Sequence, residues 1–461
     1  MTMASPDSST HLSASGRTIP IIVVPGIMGS RLSNPGDGEL VWNPKGGGVI
    51  GRSPGNLVPS LTNSQWERLN DQTPLDPVES TEPGGYPADR AAKAKSIKHF
   101  YNLIPDYYDD LCFALKDDLA VKLKARGVVP RVYGAGYDWR QDNGVSATTH
   151  LARVVAEARE ECNQEKVILV AHSQGGLVSR YFCKNGNESQ VLAVFLIGSP
   201  SLGAVQPYVR LKRGIVWDDG GVFLFLRTEL HLGAEGSRDL LRRFASMYQL
   251  MPNAIYCRIV PYWLDVDEAE TGRSPTVSLP TYGEDTCEQP PKARPTFKDA
   301  RLGYDTYRDL YAGLLESAAT RDLYAGHIDT AERFHAFLMS GMGAYMHPKT
   351  FCICTTDLST PGTAHVPPYG KYVAKGEVNE YVADGSVDIS INPDRGDGSV
   401  NSFSCNPSSV VQPAFAAQPD DNGGHTGIEH GALPNHPDVI RLVMDHIDSL
   451  FPASPPAEYA P

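Results

Sequence analysis

Residues 166–182 read KVILVAHSQGGLVSRYF, and the fold turns on how that stretch is parsed. Val167, Ile168, Leu169 and Val170 form a short continuous apolar run, the pattern of a parallel strand buried on both faces. Ala171, His172, Ser173, Gln174 and Gly175 follow, and a helix-compatible run opens at Gly176. Strand, sharp turn and helix with Ser173 at the apex make a nucleophile elbow, with Ala171 where its first glycine usually stands. Small neighbours are needed because the elbow backbone is strained and larger side chains would collide. A serine hydroxyl is a poor nucleophile and must stand where a base can take its proton. A helix starting just after it aims free backbone N–H groups at any oxyanion formed there. The competing reading is a buried strand whose turn carries Ser and Gly by chance, so the flanking chain has to decide.

Working outward, the periodicity alternates between the two regular structures. Ile19 to Val24 reads as a buried strand ending in Pro25-Gly26-Ile27-Met28-Gly29-Ser30, a loop whose glycines let backbone approach a ligand. Tyr108, Leu111, Leu115, Leu119 and Leu123 recur at helical spacing, and Gly127 closes that helix. Val128 to Tyr133 is the next strand, and Leu151, Val154, Val155 and Ala158 line the next helix. Past the elbow, Val191 to Ile197 is a further buried strand, and Thr350 to Thr355 resumes the sheet. This alternation builds an α/β fold: a doubly wound, mostly parallel sheet with helices on both faces. Such sheets place their sites at the carboxyl ends of the strands, where Ser173 falls.

The remaining stretches set the organisation. Residues 1–17 are a polar tail, and 18–201 form the first part of the core, with a Gly/Pro-rich excursion at 33–95. Alternation stops over 202–346, an inserted cap or lid in which Asp322 to Met339 reads as helix. Val222, Phe223, Leu224, Phe225 and Leu226, preceded by a glycine pair, are the candidate lid. The core returns over 347–451, with a last helix from Pro437, and 452–461 is a loose tail. Trp42 reads as a packed loop anchor, with an acyl-pocket wall as the alternative.

Composition bounds the partners. There are 41 basic and 54 acidic residues, a formal charge of −13, which argues against nucleic acid as a partner. It leaves room for lipid or other apolar ester substrates and for transient contact with a lipid surface. Eight cysteines, at 112, 162, 183, 257, 287, 352, 354 and 405, show no disulfide framework. Cys352 and Cys354 fall on one face of a strand and read as buried thiols, since no further metal ligands stand at recognisable spacing. The opening MTMASPDSSTHLSASGRTIP has no apolar leader, and no run reaches the ~18 apolar residues of a membrane span. The expectation is a cytoplasmic protein, with export by a signal-independent route left open.

Two late segments complete a chemistry. Asp397 lies in Gly396-Asp397-Gly398-Ser399-Val400, and His430 in Glu429-His430-Gly431-Ala432-Leu433, ahead of the last helix. In this order His430 would take the Ser173 proton, and Asp397 would hold the imidazole tautomer. The backbone N–H groups of Ile27 and Gln174 would form the oxyanion hole. For the acid, Asp384 in Ala-Asp-Gly-Ser-Val is the competitor, and Asp397 is preferred for the glycine on either side. For the base the competitors are His425 and His436, the latter at a helix-capping place before Pro437. Asp388 and Asp394 read as solvated loop residues.

The segments VVPGIMGS (23–30), YDWR (137–140), AHSQGG (171–176), GDGSV (396–400) and HGAL (430–433) resemble the lecithin:cholesterol acyltransferase-like family. RFASMYQLMP (243–252) resembles that family's segment after the lid, and the likeness runs from about 19 to 450, weakest in the cap. The resemblance implies an α/β-hydrolase with cap and lid, acting as lipase, phospholipase or acyltransferase. It places the oxyanion donors on Ile27 and Gln174 and requires no metal or organic cofactor. Two departures fall where substrate choice is set. The animal enzymes carry a lid disulfide near the N-terminus, and this chain has no cysteine before Cys112. Their aromatic-glycine turn is replaced by Ser199-Pro200-Ser201-Leu202-Gly203. The reaction class, a serine acyl hydrolase, transfers better than the substrate. The alternatives are an acyltransferase, a lactone hydrolase with the same triad, and a non-catalytic binding module on this fold.

Overall fold

The computed structural model describes residues 17–43, 63–71, 73–79, 81–215, 234–260, 264–266, 318–340, 343–355, 358–362, 364–366, 395–407 and 428–451. The candidate lid, 222–226, lies outside them, as do Asp384, Asp388, Asp394 and His425.

The core elements follow in chain order: β1 (Arg17–Val24), α1 (Pro105–Phe113), β2 (Val128–Gly134), α2 (Ala152–Cys162), β3 (Val167–His172), α3 (Gln174–Phe182) and β4 (Val191–Ile197). After these come α4 (Val205–Arg213), α5 (Ala318–Phe337), β5 (Thr350–Ile353) and α6 (Pro437–Ser449). The five strands form one sheet in the order β5-β4-β3-β1-β2, and every pairing is parallel. Registers such as Val23 with Val170 and Ala171 with Leu196 bring the strand ends level at one rim.

Period-two alternation divides the strand residues between two apolar cores. Ile22, Val24, Leu169, Ala171, Val194 and Leu196 pack with Val154 and Val155 of α2 and Leu177 and Val178 of α3. Ile21, Val23, Ile168, Val170, Phe195 and Ile197 pack on the other face with Leu111 of α1 and Val439, Val443 and Ile447 of α6. Both faces are therefore dry, which is why these strands are continuously apolar. The chain leaves β2 at one edge and returns to β3 on the far side of β1, so the order reverses between β1 and β3. A crevice opens at such a reversal, beyond the carboxyl ends of the strands.

The strand bounds agree closely with the apolar runs; Val191–Ile197 coincides, and β1 begins two residues earlier, at Arg17. The long helical stripe starts at Pro105 and continues as successive helical segments to Arg126, where Gly127 takes φ 63° and ends it. Within the excursion, Leu32–Ser33, Leu40–Trp42 and Asp76–Pro77 make a small antiparallel sheet, and Asn63–Asn70 and Ala88–Ala94 are helical. Trp42, at the end of one of these strands, is a packed anchor: it is buried, its Nε1 donates to the Met28 carbonyl at 3.1 Å, and its ring meets Trp139 edge-on.

The YDWR segment fastens this excursion to the core. Tyr137 Oη donates to the Pro25 carbonyl at 2.8 Å, and Trp139 Nε1 donates to that of Ser30 at 3.2 Å. Arg140 is buried against Asp138, with Nη2 to Oδ2 at 2.7 Å, and donates to the carbonyls of Arg68, Leu69, Asp71 and Thr73. Asp138 also accepts from the Leu75 amide at 3.0 Å.

Within the stretch expected as cap, α5 packs on the helix Ala245–Gln249, with His335 Nε2 2.7 Å from the Gln249 carbonyl. No helix among the described residues is long and apolar enough to cross a membrane. One expectation is corrected. Cys354 and Cys405 are joined by a disulfide, while Cys352 is a free, buried thiol. The partner stands 51 residues away, at the end of the short helix Ser402–Cys405, so local spacing could not reveal the pairing.

Candidate active site

The elbow backbone is strained where the motif requires it. Ser173 has φ 52° and ψ −125°, a region that costs a non-glycine residue about 1–3 kcal/mol. Surrounding bonds hold it there: the Ser173 amide donates to the Ile197 carbonyl at 2.9 Å, and the Gly176 amide to the Ser173 carbonyl at 3.0 Å. Glycine at 175 brings the start of α3 onto the end of β1. A Cβ there would lie 2.4 Å from the Pro25 carbonyl oxygen and 2.5 Å from that of Val24.

Three side chains from three loops meet at the crevice. Ser173 Oγ lies 2.8 Å from His430 Nε2, and His430 Nδ1 lies 2.7 Å from Asp397 Oδ2. The Asp397 carboxylate is oriented through its other oxygen, which accepts from the amides of Ser399 at 3.0 Å and Val400 at 2.7 Å. The two loops also pair directly, the His430 amide donating to the Asp397 carbonyl at 3.0 Å. An ionised carboxylate can only accept, so His430 carries its proton on Nδ1 and leaves Nε2 to accept from the serine hydroxyl. Gly198, with φ 57°, makes room behind the pair, since a Cβ there would sit 3.1 Å from Asp397 Oδ2. His436 instead caps α6, its Nδ1 accepting from the Asp438 amide at 3.3 Å.

Around Ser173 and His430 opens a pocket, continuous with solvent, whose walls include Ile27, Tyr107, Pro200, Leu250 and Val400. Gln206 and Arg210 of α4 supply polar lining. Ile27 sits in a tight turn closed by the Gly29 amide on the Gly26 carbonyl at 3.0 Å. The Gln174 side chain is buried and anchors the elbow, donating to the Trp139 carbonyl at 3.1 Å and Asn143 Oδ1 at 2.7 Å. Its backbone N–H, at the first residue of α3, has no carbonyl of the preceding turn to bond.

Sequence reasoning missed part of this surface. Tyr107 and Tyr108 come from α1, where the helical stripe marks Tyr108 only as an apolar position, and the elbow motif gives His172 no role of its own.

A wholly parallel sheet, covered on both faces, with a strained serine turn at its carboxyl rim and an acid and a histidine supplied by later loops, is an α/β-hydrolase fold. Over residues 113–271 the chain matches the family model of lecithin:cholesterol acyltransferase, the family its motifs resemble. Among solved structures, a chain of the Tle4–Tli4 complex aligns with TM-score 0.64 at 19% identity, over 95% of this chain and 99% of that one. At that identity the likeness is one of fold. The mature lipase BlEst2 of Bacillus licheniformis aligns at 13% identity and TM-score 0.32, over 95% of this chain and 94% of that one. EstA from Clostridium botulinum aligns at 13% and 0.35, over 98% of this chain and 91% of that one. No curated protein matches the chain by sequence.

Proposed function

We propose that the protein is a serine acyl hydrolase of lipase or esterase type, cleaving carboxylic esters with apolar acyl chains through an acyl-enzyme on Ser173. The observation that carries this reading is the hydrogen-bonded series Ser173–His430–Asp397 opening on a largely apolar pocket. His430 Nε2 takes the Ser173 proton as Oγ attacks the ester carbonyl, and Asp397 stabilises the imidazolium that results. The amides of Ile27 and Gln174 receive the charge that develops on the carbonyl oxygen. Collapse transfers the proton to the departing alkoxide, and the alcohol leaves. Water then attacks the acyl-enzyme, losing its proton to His430, and the acid is released as the proton returns to Ser173 Oγ.

A second reading, transfer of the acyl group to an alcohol in place of water, draws support from the match to the lecithin:cholesterol acyltransferase model. Both readings share every step up to the acyl-enzyme. The Cys354–Cys405 bond favours work in oxidising surroundings, reached by export, over the cytoplasm. The test is turnover of p-nitrophenyl esters of graded chain length, with a long-chain alcohol added in a second arm. Hydrolysis by the wild type and none by Ser173→Ala is the expected result; equal rates for the two would contradict the reading.

A further inference from the structure

We infer that His172 is a positioning residue that locks the backbone of the base, His430, to the loop carrying the oxyanion donor Ile27. The inference rests on the hydrolase reading above. His172 Nε2 lies 3.0 Å from the backbone carbonyl oxygen of His430. His172 Nδ1 lies 3.0 Å from Tyr108 Oη, and that same oxygen accepts from the Gly26 amide at 2.9 Å.

The direction of every proton in this chain follows from its two ends. A carbonyl can only accept, so His172 Nε2 carries the hydrogen and donates it to His430. A neutral imidazole then has a bare Nδ1, which takes the Tyr108 hydroxyl proton. The amide of Gly26 can only donate, so it fills the remaining acceptor site on the tyrosine oxygen. Four groups from the β1 loop, α1, the elbow and the base loop are thus joined in one sense.

The geometry gives the joint its purpose. Ser173 holds His430 by the imidazole, and the residue just before it holds His430 by the main chain, so two adjacent residues fix one partner. The glycines of the β1 loop leave the room: a Cβ on Gly26 would lie 3.2 Å from His172 Nδ1, and one on Gly29 would lie 2.7 Å from Tyr108 Oη. Burial, together with the nearby His430 ring, whose centroid is 5.0 Å away, holds the His172 pKa well below the usual histidine value. His172 accordingly stays neutral while His430 becomes an imidazolium, and its donation to the carbonyl persists through the reaction.

Two replacements separate the ends of the chain. His172→Gln places an amide N–H near the Nε2 position and can still reach the His430 carbonyl; His172→Asn reaches only toward Tyr108. Steady-state hydrolysis of a p-nitrophenyl ester is measured for both, with Tyr108→Phe as a third variant that removes one oxygen. His172→Asn is expected to lower kcat about 10- to 100-fold with KM within about 2-fold, the scale of a displaced general base. His172→Gln is expected to recover kcat to within about 3-fold of the wild type, and Tyr108→Phe to fall between. Wild-type kcat in both His172→Asn and Tyr108→Phe, or a loss in His172→Gln as large as in His172→Asn, overturns the inference. Should His172→Asn not fold, Tyr108→Phe decides alone, wild-type kcat overturning the role. A wild-type chain that turns over no ester overturns the hydrolase reading instead, and the role of His172 falls with it.

Discussion

Cys354, one residue beyond the end of β5, is bonded to Cys405, eight residues after Asp397, so the acid-bearing segment is stapled to the sheet at its far end. The bond closes a loop of 51 residues, and constraint of the unfolded chain by such a loop is worth about 2–4 kcal/mol. Cys405→Ser, or reduction of the wild type, is expected to lower the thermal midpoint and to reduce esterase turnover as Asp397 loses its fixed place. A midpoint indifferent to reductant would show that the staple contributes nothing.

Asp397 divides its work between its two oxygens, one orienting its own loop and the other holding His430 Nδ1. In Asp397→Asn the loop contacts can persist through the amide oxygen while the NH2 faces the histidine. The imidazole must then present a bare Nδ1 and carry its proton on Nε2, where it cannot accept from Ser173. A fall in kcat of about 10³- to 10⁴-fold is expected, with little change in thermal midpoint. Retention of more than a tenth of wild-type kcat would move the acid elsewhere.

Much of this arrangement was legible from local pattern. The elbow and the individual strands and helices are short-range signals, each carried by a handful of consecutive residues. The contacts that hold the site are long-range. Cys354 finds Cys405, His172 finds Tyr108, and Arg140 finds the carbonyls of 68–73, none of which has a period or a spacing. Tyr108 looked like one more apolar position because its hydroxyl partners, Gly26 and His172, lie 82 and 64 residues away.

Arg140 tests the role assigned to the YDWR segment. Its removal strands a buried Asp138 carboxylate and leaves four backbone carbonyls without their donor. Arg140→Ala is expected to destabilise the fold by about 3–5 kcal/mol, measured by urea denaturation. A loss under about 1 kcal/mol would contradict a fastening role.

Acid is expected to destabilise the protein as its buried histidines are drawn to charge. Burial lowers His327 and His335 to about 4, and His172 is lowered as well. These groups stay neutral in the fold, whereas in the unfolded chain they charge near pH 6.5. Stability is therefore intact above pH 6.5 and is lost as pH falls toward 4, by about 1.4 kcal/mol per pH unit for each such histidine. Asp109, pushed up to about 6 by burial, acts in the opposite sense, while burial also lowers His150, His347 and His446, which add to the loss. The thermal midpoint should drop between pH 7 and pH 5; a flat or rising midpoint would contradict the buried neutral state.

The most direct test of the central claim is covalent. A fluorophosphonate labels a serine with both a base and an oxyanion site far faster than an ordinary hydroxyl, and peptide mass spectrometry locates the adduct. One adduct on Ser173 is predicted for the wild type, none for Ser173→Ala, and labelling at least about 100-fold slower for His430→Ala. An unlabelled wild type, or an adduct that survives Ser173→Ala, would contradict the account.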